Sequence, residues 1–152
     1  MRKKSRAHVI PGVWFIVALA AMVILDRAAP GMQLVPAPYR YAGVLPVLAG
    51  IGIVIWALWL FRQSGTTPMP HKTPAVLVDR GPYRFTRHPM YLGLTIALCG
   101  AALLLGSLSP WAIAIAFFVF VARPSALEEE QGMEATFGEA YVRYKSRVRR
   151  WL

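Results

Sequence analysis

A single cysteine, Cys99, stands in the whole chain, inside an apolar run. It excludes an intrachain disulfide and a cysteine-based metal cluster, and leaves a buried, inert thiol as the expectation. The three histidines, His8, His71 and His88, are too scattered to argue for a metal site. Acid is also scarce, with seven Asp and Glu against 17 Lys and Arg, a net charge of +10. Apolar residues are plentiful, at 57% of 152 residues, too many for an ordinary soluble domain. The expectation is one membrane domain over residues 1–152, built from a few helices, without room for a separate soluble catalytic domain. Any chemistry then lies on or between the helices and their loops. The positive charge comes with no nucleic-acid recognition motif, so no nucleic-acid partner is expected. In a membrane chain such charge marks the cytoplasmic side and the anionic headgroups of the bilayer.

Four apolar segments predict an all-α integral membrane protein with spans at about 9–25, 41–61, 89–105 and 109–127. The first follows the basic start Arg2-Lys3-Lys4-Ser5-Arg6, as a signal peptide would, and Ala18-Leu19-Ala20 resembles a cleavage site. Apolar residues continue through Met22-Val23-Ile24-Leu25, which favours an uncleaved span. The third and fourth segments are joined by Gly106-Ser107-Leu108-Ser109-Pro110, a tight turn that makes them a helical hairpin. With four crossings, 15 of the 17 basic residues share the side of both termini and the middle loop, and only Arg27 and Arg40 lie opposite. The positive-inside rule puts that side in the cytoplasm.

The middle loop, 62–88, holds Pro68, Pro70, Pro74 and Pro82, which break helices. Val76-Leu77-Val78 reads as a short extended piece before the Gly81-Pro82 turn. In the tail, Met133, Phe137, Tyr141, Tyr144, Val148 and Trp151 recur at three- and four-residue steps. That stripe predicts an amphipathic helix on the membrane surface or over the cytosolic end of the bundle, with Gly138 as a bend.

Two stretches carry the chemistry. In the first, Gly81 to Gly93, Arg87 and His88 stand at the mouth of the third apolar segment. Pro89 fits the first helical position, and the next free N–H groups join the two basic side chains as an anion site. The plain alternative is that Arg87 and His88 snorkel to the headgroups. In the second, Glu128, Glu129, Glu130, Glu134 and Glu139, five of the seven acidic residues, fall within twelve positions after the fourth span. Repulsion among its carboxylates makes such a cluster mildly unfavourable without cationic partners. These are Arg143 and Lys145 on a solvated turn, Arg84 or Arg87 in the folded bundle, or a cationic or hydroxyl-bearing ligand. The hairpin makes Arg87 and Glu130 neighbours at the cytosolic face, where they either pair or both hold ligand.

Gly-Pro-Tyr-Arg-x-x-Arg-His-Pro-Met-Tyr-x-Gly, followed after the hairpin by Glu129-Glu130-x-x-Met133-x-x-x-Phe137-Gly138-x-x-Tyr141-x-x-Tyr144, resembles the isoprenylcysteine carboxyl methyltransferases. That family is itself similar to the phospholipid methyltransferases. The likeness covers about residues 62–152, and Gly65-Thr66-Thr67-Pro68 and Leu77-Val78 fit the small bacterial members, whose place is the inner membrane. Glu128, where relatives often carry a basic residue, and Gly132 depart from the pattern. The resemblance implies a membrane methyltransferase using S-adenosylmethionine, needing neither metal nor covalent nucleophile, with a lipophilic methyl acceptor entering from the bilayer. Residue by residue, it nominates Leu77, Val78, Gly81, Tyr83, Arg87, His88, Tyr91, Glu129 and Glu130 for the cofactor. Arg87, His88 and the helix N-terminus suit the cofactor's carboxylate, and a Glu suits its ammonium or ribose hydroxyls. Tyr83 or Tyr91 suits the adenine or the sulfonium. The competing readings are a nicotinamide-dependent reductase similar to the membrane steroid reductases, and a non-catalytic membrane subunit.

Overall fold

The computed structural model describes residues 11–65 and 76–152. The basic start, His8, His71, Pro68, Pro70, Pro74 and most of the Gly65–Pro68 motif lie outside the described residues. Six α-helices follow in order: α1 Pro11–Ala28, α2 Val44–Gln63, α3 Pro89–Leu105, α4 Ser109–Phe117, α5 Arg123–Phe137 and α6 Glu139–Arg147. A 3-10 turn, Tyr39–Gly43, leads into α2, another, Gly81–Arg84, precedes α3, and a π segment, Phe118–Ala122, joins α4 to α5. No strand occurs among the described residues, so Val76–Val78 is irregular backbone.

Three helical stretches are long and apolar enough to cross a membrane: Pro11–Ala28, Tyr39–Gln63 and Ser109–Phe137. The chain is an integral membrane protein. Helix α3, equally apolar, has 17 residues, about 25 Å at 1.5 Å per residue. Its ends are those the sequence predicts. Pro89 occupies the first turn, and Gly106 stops the helix with φ +82°, a left-handed cap that suits glycine.

Helices α2 and α3 run antiparallel along a seam of glycines. Gly43 faces Gly100 and Gly50 faces Gly93. A Cβ at Gly50 would stand 2.3 Å from the Gly93 carbonyl oxygen, and one at Gly43 would stand 2.5 Å from that of Gly100. Backbone lies directly on backbone, as small residues permit between membrane helices. Helix α1 packs on α3 and α4, burying Ala18 and Met22 against Leu98, Ala102, Ala114 and Phe117. At the far end, Leu34 and Val35 donate to the Gly106 carbonyl, and Ser107 donates to Asp26, tying the first connection to the hairpin turn.

The fourth segment continues as helix into the acidic run. Pro124 has no N–H for the Phe120 carbonyl four residues back, and its ring crowds that carbonyl. The helix widens to a π turn there, and Arg123 donates to Phe118 instead.

The tail departs from the predicted single helix. Gly138, with φ +50°, separates α5 from α6, and α6 ends at Arg147. Val148 is extended (φ −119°, ψ +128°), so Val148 and Trp151 belong to a non-helical strap. Tertiary bonds override the helical stripe: Arg87 N–H donates to the Arg149 carbonyl (3.0 Å) and Thr86 Oγ1 to the Arg150 carbonyl (2.8 Å).

Candidate functional site

Helix α3 begins where the helix containing α5 descends past it, so Arg87, His88 and Tyr91 meet the Glu pair. Glu130 is the centre. Its carboxylate accepts from Arg150 Nε and Nη2, both at 2.8 Å, a bidentate fork. His88 Nε2 faces Oε1 at 3.1 Å, and Arg87 Nη1 lies 3.3 Å from Oε2. The ionised carboxylate only accepts, so Nε2 carries the proton of that contact.

The adjacent glutamate sits differently. The Glu130 side chain is 6% exposed and that of Glu129 is 41% exposed. Glu129 accepts a 2.6 Å hydrogen bond from the Tyr91 hydroxyl, and its other oxygen stands 3.4 Å from His88 Nδ1. Glu130 is saturated by protein cations, while Glu129 keeps accepting capacity on a partly open side. Arg87 Nη1 stands at ion-pair distance from Glu130, while neither it nor Arg87 Nε makes a hydrogen bond among the described residues. Lys145 pairs with Glu134 at 2.6 Å.

Tyr83 packs against α2. Its ring packs edge-on against Phe61 at 5.4 Å, and its carbonyl accepts from the buried Tyr144 hydroxyl at 2.7 Å. Its own hydroxyl is buried with no hydrogen-bond partner among the described residues, as is Arg87 Nε. Burial first, and then the Glu129 carboxylate, push the Tyr83 phenol well above its ordinary value. Tyr144 is raised by burial and by Tyr141, and Tyr141 is pushed up to about 12 by burial and then by Glu130. All three stay O–H donors at any working pH, and that of Tyr83 is unspent.

The structure brings together Tyr83, Arg87, His88, Tyr91, Glu129 and Glu130. Val78 joins the Tyr83 side through a packed cluster with Ala57, Leu60 and Phe61, and Leu77 is half-buried beside it. Gly81 takes φ +58°, and a Cβ there would meet Leu60 Cδ1 at 2.5 Å, so it serves the close approach of the loop to α2. Sequence reasoning misses Thr86, Arg150 and Phe118, and it misplaces Trp151. The Trp151 ring lies 5.9 Å from that of His88 and 4.9 Å from that of Phe118. No group of three or more potential metal ligands occurs among the described residues.

This is a helical membrane protein with a buried cation–carboxylate cluster at one end of its bundle. The model of the phospholipid methyltransferase family matches residues 39–140, and the chain belongs to that family of methyltransferases. A Haemophilus influenzae protein described only as uncharacterized is 40% identical over 63 residues, covering 41% of this chain and all of that protein. Methanethiol S-methyltransferase 1 of Bradyrhizobium diazoefficiens is 35% identical over 82 residues, 54% of this chain but 26% of that protein. The chain thus spans about a quarter of the latter's length. No solved structure matches.

Proposed function

We propose that this protein transfers the methyl group of S-adenosylmethionine to a lipid-like or membrane-embedded small acceptor. The observation that carries this reading is the grouping of the partly exposed Glu129, its hydrogen-bond partner Tyr91, Arg87 and the unpartnered Tyr83 hydroxyl at one end of an apolar bundle. These residues fit the cofactor's chemistry. The accessible carboxylate of Glu129 accepts from an ammonium or from ribose hydroxyls, and the Tyr83 hydroxyl and Arg87 Nε remain to donate. Bound there, S-adenosylmethionine supplies an already activated methyl group. The residues of this chain then need only bind, align and exclude water. Phe118 and Trp151 supply apolar cover beside His88.

Calorimetry on the purified protein tests the reading. S-adenosylmethionine and S-adenosylhomocysteine are expected to bind more tightly than NADPH. Binding of NADPH with none of either sulfur compound would replace this reading with the reductase. Incubation with labelled cofactor and a total lipid extract then identifies the acceptor.

In the same proposal the membrane is crossed four times, α3 included, in a bacterial inner membrane with both termini cytoplasmic. The support is the clustering of 15 of 17 basic residues on one side. Reporter fusions at both termini are expected to read cytoplasmic, and one at residue 35 to read external. Termini on opposite sides would refute four crossings.

A further inference from the structure

The C-terminal strap lies across the candidate site and is held there twice over. Its backbone is fixed by Arg87 N–H and Thr86 Oγ1, the residues next to His88. Its side chains reach inward. Arg150 takes both oxygens of Glu130 in a fork, and Trp151 stands between His88 and Phe118. Fixing a carboxylate by a planar fork sets its orientation as well as its charge. Glu130 in turn holds His88 Nε2, so the His88 ring is clamped by a carboxylate at one edge and an indole nearby. The other ring nitrogen faces Glu129, the accessible carboxylate. The chain of contacts therefore runs from Arg150 through Glu130 and His88 to Glu129, a carboxylate with capacity for a ligand.

We infer that the C-terminal strap is a working part of the ligand site: Arg150 and Trp151 are positioning residues that orient Glu130 and His88, and ligand affinity at Glu129 depends on them. Neither residue touches the ligand in this scheme. The affinity part rests on the cofactor reading above; the orientation of His88 does not. A latch, in which Arg150 competes with a cationic ligand for Glu130, makes the opposite prediction, because its removal would tighten binding. The burial of Glu130 favours the positioning role.

The test uses the full chain in detergent, with two readouts. The first is the histidine ring nitrogen spectrum without ligand, which reports whether the His88 proton is held on Nε2. The second is S-adenosylhomocysteine affinity by calorimetry. In wild type, a distinct, slowly exchanging Nε2–H is expected. Arg150→Gln should release it and weaken binding about tenfold, the loss of a charge-assisted contact that organises the site. Arg150→Lys, which keeps the charge without the fork, should fall between the two. Trp151→Leu leaves the Glu130 ion pairs intact and should also disturb the His88 signal, so it decides the matter if Arg150→Gln does not fold. An unchanged His88 signal in the folded variants overturns the inference, as does unchanged or tighter binding. Wild-type protein that binds no S-adenosylhomocysteine refutes the cofactor reading, while the His88 spectrum still decides whether the strap positions that ring.

Discussion

Gly50→Ala should destabilise the protein by on the order of 2–3 kcal/mol, whereas Gly52→Ala, one half-turn away on the same helix, should leave it as stable or slightly more so. Two effects compete at both positions. Alanine favours a helix over glycine by about 1 kcal/mol, which pushes both variants toward stability. Overpacking opposes it only where the new methyl meets something. At Gly52 nothing lies within 4 Å. At Gly50 the methyl meets the Gly93 carbonyl at 2.3 Å and the Ala97 nitrogen at 2.7 Å, all of it helix backbone that cannot rotate aside. Helices α2 and α3 must separate, and the dispersion contacts along the whole seam are lost with them. Gly93→Ala should behave like Gly50→Ala, because its methyl would meet the Gly50 carbonyl at 2.6 Å. Unfolding in detergent, followed by circular dichroism against temperature or denaturant, measures all three. Equal stability of the Gly50 and Gly52 variants would mean that the two helices do not touch through their backbones.

The second large effect separates the two glutamates. Glu130→Gln should cost about 3–5 kcal/mol of stability without any ligand, because it leaves Arg87 and His88 buried beside an uncharged amide. Glu129→Gln should cost about 1 kcal/mol or less, since that side chain is partly exposed and its ion pair is screened by water. The order reverses for ligand. Glu129→Gln removes the accessible acceptor and should weaken S-adenosylhomocysteine binding roughly tenfold or more. The exchange of Arg87→Glu with Glu130→Arg should not restore stability, because an arginine at 130 would face His88 and Arg150. Restoration by that exchange would show that Arg87 alone matters to Glu130. Equal destabilisation by both single glutamine variants would sink the division of roles.

Much of this could be read from the residues, and the failures have physical causes. The limits of α3 were legible because Pro89 and Gly106 each favour one backbone conformation at a helix end. The meeting of the Arg-His pair with the Glu pair was legible because a five-residue turn forces α3 and α4 to be neighbours. Which glutamate faces inward was not, since both belong to one acidic run and only the packing of α5 tells them apart. The strap was hidden for a different reason. Val148 and Trp151 continue the spacing of Tyr141 and Tyr144, so the pattern reads as helix, while the bonds that unwind it come from Thr86 and Arg87, some sixty residues away. The glycine seam was equally silent, because glycine is common in membrane helices and only its alignment across two of them makes a contact.

The π turn at Phe118–Ala122 sets the angular phase of everything below it. One residue more than a regular helix needs has been taken up, and each residue of an α-helix carries about 100° of rotation and 1.5 Å of rise. Were a single residue deleted from that segment with the π turn kept, the direction now held by Glu129 would pass to Glu130, and the direction of Glu130 to Gln131. Arg87, His88 and Arg150 would then converge on a neutral amide. The compass bearing of both carboxylates is therefore decided about two to three turns upstream, at apolar residues of the membrane segment, which makes the length of that segment as strict a requirement as its hydrophobicity.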